Sequence, residues 1–174
     1  MPGGTKSMSS ISYVLLIALA IALVFAAMTD IRHRKIDNWL NAGIALAAPA
    51  FWWASGMKLW PDVGWQLLLC AIVSGVLIGI AYIGYRLNVL ILGGGDVKLL
   101  AALSLWFTPV GYVQMLMVMA VFGGFLAIGF IVRRVVFKPK TPGRLPYGVA
   151  IAIGGLWVLA LNHLDAVMHA FPGA

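Results

Sequence analysis

The acidic residues of this chain are the side chains best suited to chemistry, and there are only five, all aspartates. They are Asp30, Asp37, Asp62, Asp96 and Asp165. Two carboxyl groups that share one site cannot both ionise cheaply, so one of them keeps its proton. The ionised partner can then take a proton from water while the protonated partner polarises a peptide carbonyl. A pair drawn from these aspartates could therefore hydrolyse a peptide bond.

Composition indicates which elements must position such a pair. Hydrophobic residues make up 63% of the 174 residues and charged residues only 10%, which is more apolar surface than a soluble domain could bury. A bilayer core about 30 Å thick needs roughly 20 apolar residues per helix, and backbone in lipid must bond internally. We therefore predict an all-α polytopic membrane protein with about six transmembrane helices. They cover about 11–28, 40–54, 65–85, 87–107, 111–132 and 146–161.

These helices form one predicted transmembrane domain over 11–165. A polar segment over 1–10, which we expect to be flexible, precedes it, and a short tail over 166–174 follows it. The length leaves no room for a separate soluble domain.

The basic residues predict an orientation. With both termini outside, the inner segments hold ten Lys and Arg residues and the outer segments hold two, Lys6 and Lys58. The inner ones are Arg32, Arg34, Lys35, Arg86, Lys98, Arg133, Arg134, Lys138, Lys140 and Arg144. Because cytoplasmic loops retain positive charge, this split predicts that the inner segments face the cytoplasm. The basic residues that give the net charge of +7 lie in short segments between apolar runs rather than on one continuous face, which disfavours nucleic acid as a partner.

This topology divides the acidic residues into two groups. Asp62 and Asp165 fall on the outer side beside helix ends, where ordinary solvation explains them. Asp30, Asp37 and Asp96 fall on the inner side. A catalytic pair should therefore come from these three.

No metal-ligand set is visible in the sequence. Cys70 is the single cysteine and lies in an apolar run, which excludes a Cys-based zinc site. The three histidines, His33, His163 and His169, are expected on opposite sides of the membrane. We therefore predict no metal.

Asp30 closes the first apolar run, in the segment MTDIRHRKIDNWLN. An ionisable group at the membrane boundary costs free energy, so it is usually paired with an opposite charge or retained for a function. If the helix continues, His33 and Arg34 lie on the same face and could hold the carboxylate ionised. The alternative is a helix-end carboxylate that merely pairs with Arg34.

Asp96 stands in the segment LNVLILGGGDVKLLAALSLWF, directly after three glycines. Only eleven residues lead from it to the end of this apolar run, and eleven helical residues span about 16 Å, half the hydrocarbon core. Either the fourth helix is short or Asp96 lies below the membrane surface. Glycines allow a substrate to approach the backbone closely. Irregular backbone at this depth in the membrane is tolerated only where protein or water covers it, so the segment predicts a cavity. In the alternative, the glycines form a helix contact and Lys98 neutralises Asp96.

Two motifs and a late stretch carry a resemblance to a known family. The first motif, D-x-R-x-x-x-I-x-N, consists of Asp30, Arg32, Ile36 and Asn38. The second, G-x-G-D, consists of Gly93, Gly95 and Asp96. Together they resemble the prepilin peptidases, which are GxGD-type aspartyl membrane proteases. The R-x-P-Y-G-V-A-I stretch over 144–151 and the small size are similar to compact members that serve tight-adherence (Flp) pili.

The resemblance implies an aspartic endopeptidase that removes the short basic leader of prepilin-like precursors. It implies a multi-pass protein of the bacterial inner membrane, with its site facing the cytoplasm and with pilus or secretion machinery as a further partner. Asp30 and Asp96 match the catalytic aspartates. The supporting motif residues are Gly93, Gly94, Gly95, Lys98, Arg32 and Asn38. Some larger relatives also methylate the new N-terminus, but no cofactor site for this is visible, so we predict peptidase activity alone.

One position departs from the family pattern. Asp37 stands where the family usually has proline. Because it follows Asp30 by seven residues, it could share the helical face of Asp30. Asp37 is therefore the reserve catalytic candidate.

Two other functions remain open from the residues alone. A small ion-coupled carrier could bind a cation at Asp96 within a broken helix, although carriers usually show two related halves and none are found here. A non-catalytic subunit of a secretion complex would use the aspartates only to pair with arginines.

Overall fold

The computed structural model describes residues 9–87, 93–137 and 146–170, and these residues are helical with no strand. Six α-helices follow one another: α1 (Ser10–His33), α2 (Asn38–Ala54), α3 (Gly64–Arg86), α4 (Gly94–Leu103), α5 (Pro109–Phe137) and α6 (Tyr147–Ala170). The predicted all-α class and its six helices are confirmed. Parts of the predicted end segments (1–8 and 171–174) and four of the counted cations (Lys6, Lys138, Lys140 and Arg144) lie outside the described residues.

Within the described residues, three helical stretches are long and apolar enough to cross a membrane: Ser10–His33, Leu59–Arg86 and Pro109–Arg133. A shorter apolar stretch covers Tyr147–Asn162. The outward faces carry large aliphatic side chains, such as Ile72, which is exposed. Apolar faces of this kind suit contact with lipid. The count of six crossings and the outside position of both termini stay predictions.

The fourth helix is shorter than the predicted segment 87–107. α4 contains ten residues, which gives it a length of about 15 Å at 1.5 Å per residue. Of the two alternatives for this segment, the short helix is therefore correct. α4 is nevertheless central, because α2, α3 and α6 pack around it and Leu99 and Leu103 are completely buried. Its first turn carries Asp96.

Hydrogen bonds from three aromatic side chains hold the chain at and just beyond the end of α4. The indole N–H of Trp52 donates to the carbonyl of Leu105 at 2.9 Å, and the hydroxyl of Tyr112 donates to that of Leu100 at 3.1 Å. The indole N–H of Trp106 donates to a carbonyl of α2 at 2.9 Å. The last carbonyls of a helix lack partners within it, so these bonds anchor α4 by its far end.

Glycines let α6 approach α1 and α5 closely. A Cβ at Gly154 would lie 2.6 Å from the carbonyl oxygen of Met115 on α5. A Cβ at Gly155 would lie 2.8 Å from Cδ1 of Leu23 on α1. Both distances are shorter than a real Cβ contact. The obstacle at Gly154 is backbone, so this packing requires glycine there, whereas at Gly155 a Cβ would force the Leu23 side chain to shift.

Candidate active site

Asp30 lies in the last turn of α1 and is only 5% exposed. Its Oδ2 accepts a 2.8 Å hydrogen bond from the backbone N–H of Gly148, in the first turn of α6. The first N–H groups of a helix have no partner within it, and they favour a nearby carboxylate. A Cβ at Gly148 would lie 2.8 Å from Oδ2 and 2.9 Å from Cβ of Asp30, so the contact needs glycine.

The contact between Asp30 and Gly148 follows from the packing of α1 on α6. Gly155 contacts Leu23. Leu23 lies seven residues before Asp30 on α1, and Gly155 lies seven residues after Gly148 on α6, so the two helices run antiparallel in constant register over two turns. Sequence reasoning assigned Gly148 no role. The available signal was a glycine two residues after Pro146, at the start of a helix.

The chain turns sharply between Asp30 and Asp37. α1 ends at His33 because Arg34 adopts a left-handed backbone, with φ 55°, and donates its N–H to the carbonyl of Asp30 at 2.9 Å. Asp37 precedes α2 at its N-cap position, with extended backbone, no side-chain capping bond and an exposed side chain. The prediction that Asp30 and Asp37 share a helical face is therefore wrong. Arg34 likewise lies beyond the helix on which it was placed.

Asp96 lies in the first turn of α4 and is 9% exposed. The glycines before it differ in their surroundings. A Cβ at Gly93 would lie 2.7 Å from Oδ2 of Asp96, and a Cβ at Gly95 would lie 3.1 Å from the carbonyl oxygen of Ile36. A Cβ at Gly94 would meet nothing within 4 Å. Gly93 therefore makes room for the carboxylate, and Gly95 lets α4 pack on the turn between α1 and α2.

Polar side chains of α2 and α4 join these two helices beside Asp96. The amide of Asn41 donates to the carbonyl of Gly95 at 3.2 Å, and Nζ of Lys98 donates to Oδ1 of Asn38 at 2.8 Å. Within the described part of the chain, no ion pair joins Lys98 to Asp96, so the prediction that Lys98 neutralises this carboxylate is not supported. Arg32 is exposed in the last turn of α1.

One cavity of about 260 Å³ brings the inner-side residues together. Its lining residues are Asp30, Arg34, Lys35, Ile36, Asp37, Asn38, Gly93, Gly94, Gly95 and Asp96. Asp30 and Asp96 are buried in its wall, whereas Asp37 is exposed. Since one water takes about 30 Å³ in the liquid, the cavity has room for several waters. In residues 9–87, 93–137 and 146–170, no group of three His, Cys, Asp or Glu side chains could hold a metal ion.

Burial and charge both act on Asp96. Asp96 is 9% exposed and lines the same cavity as Asp30, so burial and the negative charge of Asp30 both disfavour its ionised form. Two carboxyls that influence each other in this way titrate as a pair and can hold one proton between them.

The sequence also matches a known family. Residues 17–132 match the model of the type IV leader peptidase family, and the match includes both Asp30 and Asp96. Searches of curated proteins and of solved structures found no significant match. The family implies aspartic peptidase activity of the prepilin peptidase type and prepilin-like substrates. The matched region covers two thirds of the 174 residues, and the chain belongs to the type IV leader peptidase family.

Proposed function

We propose that this protein is an aspartic endopeptidase of the bacterial inner membrane that removes the short basic leader of a prepilin-like precursor at the cytoplasmic face. Asp30 and Asp96 form its catalytic pair. We predict peptidase activity alone, without methylation of the new N-terminus.

The observation that carries this proposal is the burial of two carboxyl groups in the wall of one cavity. Asp30 and Asp96 come from α1 and α4, 66 positions apart in the sequence, and a Cβ at Gly148 or at Gly93 would clash with the carboxylate beside it. A solvated carboxylate would need neither burial nor such space. Because burying a carboxyl group costs free energy, a buried pair is typical of a site where the charge is used.

The pair can complete hydrolysis without another group. The ionised carboxylate takes a proton from water as the water oxygen bonds to the scissile carbonyl carbon, and the protonated carboxyl gives its proton to the carbonyl oxygen. The tetrahedral intermediate then collapses and the C–N bond breaks: one hydroxyl of the intermediate gives its proton to the ionised carboxylate while the protonated carboxyl gives its proton to the leaving nitrogen, so the pair again holds one proton. A substrate that displaces water from the cavity raises the cost of double ionisation further, which keeps the shared proton in place.

The cations around the cavity support its cytoplasmic position. Arg34 and Lys35 line the cavity, and Arg32 and Lys98 are exposed nearby on α1 and α4. Clusters of Lys and Arg at helix ends are retained on the cytoplasmic side. Six crossings, with both termini outside, place this end of the bundle inside the cell.

Cleavage of a prepilin-like precursor by the purified protein in lipid vesicles tests the proposal. Mass spectrometry should find a product shortened by its leader. Asp30→Asn and Asp96→Asn should each lower the cleavage rate by at least about 100-fold, the usual contribution of general acid–base catalysis. Asp62→Asn, which changes an exposed carboxylate outside this cavity, is the matched control and should cleave normally.

Two results would decide against this function. Full cleavage by either Asp30→Asn or Asp96→Asn would rule out the two-aspartate mechanism. If the wild type cleaved no leader but carried ions across the vesicle membrane, the carrier would be the better account.

A further inference from the structure

A second cavity, which we call the α1–α2 groove, lies between the first two helices. It has a volume of about 210 Å³, and its lining residues include Ala18, Ala22, Trp39, Gly43 and Ala47. Ala18 and Gly43 are exposed, and a Cβ at Gly43 would meet nothing within 4 Å. The groove is therefore apolar and open on its outer side. Small residues four positions apart on both helices are the pattern that allows a third helix to approach closely.

The α1–α2 groove lies near the catalytic cavity at the start of α2. Trp39 lines the groove, and Asn38, its neighbour in sequence, lines the cavity that contains Asp30 and Asp96. Phe25, which lies on α1 five residues before Asp30, contacts Trp39, with ring centroids 5.8 Å apart. The two cavities thus have neighbouring lining residues on α2.

We propose that the α1–α2 groove binds the apolar helix of the precursor, so that the bond before this helix reaches Asp30 and Asp96. This inference rests on the proposed function, which supplies a substrate in which a basic leader directly precedes an apolar helix. The first residues of that helix lie beside Trp39, and the leader remains on the cytoplasmic side.

The dimensions of the groove fit this occupant. Its lining on α2 extends from Trp39 to Ala47, which is about 12 Å at 1.5 Å per residue, or a little over two helical turns. Association of helices in lipid depends on close packing, because lipid chains are as apolar as the helices themselves. The small side chains along the outer part of the groove offer such packing only while the groove stays unfilled.

Gly43→Leu tests the proposal with little risk to folding, because the added side chain meets open space and leucine favours a helix more than glycine does. The variant should lower kcat/KM at least tenfold, mainly through a higher KM, for a precursor that retains its apolar helix. A short peptide that carries the leader and the scissile bond but no helix should be cleaved as by the wild type. Gly75→Leu, at an equally open glycine of α3, is the control and should leave both activities unchanged.

Cysteine cross-linking gives a readout that does not require cleavage. In a Cys70→Ala background, Gly43→Cys should form a disulfide with a cysteine in the first two turns of the precursor helix, and Gly75→Cys should not. Normal precursor cleavage by Gly43→Leu, or no cross-link at position 43, would overturn the proposal in favour of lipid in the groove. A wild type that cleaves neither substrate would refute the proposed function, while the cross-link would still decide whether the groove binds the precursor.

Discussion

The backbone N–H of Gly148 donates a 2.8 Å hydrogen bond to Oδ2 of Asp30, and so joins residues 118 positions apart. The contact makes α6 part of the wall around a proposed catalytic carboxylate. It also explains why the second residue of α6 must lack a side chain. The proposed catalytic pair is therefore held by three helices, with Asp30 on α1, Asp96 on α4 and the hydrogen-bond donor on α6.

Gly148→Ala should lower the cleavage rate at least tenfold. The new Cβ would lie 2.8 Å from Oδ2 and 2.9 Å from Cβ of Asp30, so either the carboxylate or α6 must shift. Misplacement of a reacting group by about 1 Å can cost about 100-fold in rate. Initial rates with the precursor in vesicles measure the effect, and Gly129→Ala on α5, where a Cβ meets nothing within 4 Å, is the control. Equal rates for the two variants would mean that the contact does not position Asp30.

Asp96→Asn should stabilise the folded protein at pH 7.5 while it abolishes cleavage. Asp96 is 9% exposed, and a buried carboxylate costs free energy when it is ionised, so the folded state loses stability as Asp96 gives up its proton at rising pH. Asparagine carries no charge at this position and does not have this cost. Thermal unfolding in detergent should give Asp96→Asn the higher Tm at pH 7.5, with the difference from the wild type shrinking towards pH 4. A pH-independent difference in Tm would contradict this account.

Asp37→Asn should retain cleavage within about threefold of the wild type. Asp37 is exposed at the mouth of the cavity and its side chain makes no capping bond, so neither folding nor a buried proton depends on its charge. The measurement is the initial rate beside that of Asp96→Asn in the same vesicles. A loss as large as that of Asp96→Asn would assign Asp37 to the catalytic pair.

Asn41→Leu should lower cleavage about tenfold and change Tm by only a few degrees. Asn41 is 4% exposed and donates to the carbonyl of Gly95, next to Asp96, while its own Oδ1 has no hydrogen-bond partner among the described residues. Leucine removes that unsatisfied oxygen together with the donor, so the effects on the free energy of unfolding largely cancel. Asn41→Asp should instead unfold at a much lower temperature, because it buries a charge. Unchanged activity of Asn41→Leu would show that this bond does not position Asp96.

The helices could be predicted from the sequence because lipid leaves the backbone no alternative to a helix. The triple glycine before Asp96 and the short run after it also indicated a short fourth helix and a cavity, and α4 begins within those glycines. These features depend on local composition. They can be read from a window of about 20 residues.

The contacts that complete the site could not be predicted in this way. Gly148 donates its backbone N–H to Asp30 on another helix, and a pattern of side chains in the sequence cannot predict such a bond. Asp37 was placed on the face of Asp30 because nothing signals the end of α1 at His33, since Arg34 adopts a left-handed backbone without being glycine. The proximity of Asp30 to Asp96 depends on how α1, α2 and α4 pack, which spacing in the sequence does not determine.

The position of Gly148 also bears on how such proteins are recognised. The family match ends at residue 132, before α6 begins, although α6 supplies the hydrogen-bond donor to Asp30. A chain that stopped after α5 would keep both aspartates and the entire matched region, and it would still leave Asp30 without this partner. If Asp30 is catalytic as proposed, the two aspartate motifs alone do not make an intact catalytic unit, and we expect a minimal functional fragment to extend beyond Gly155, where α6 packs on α1.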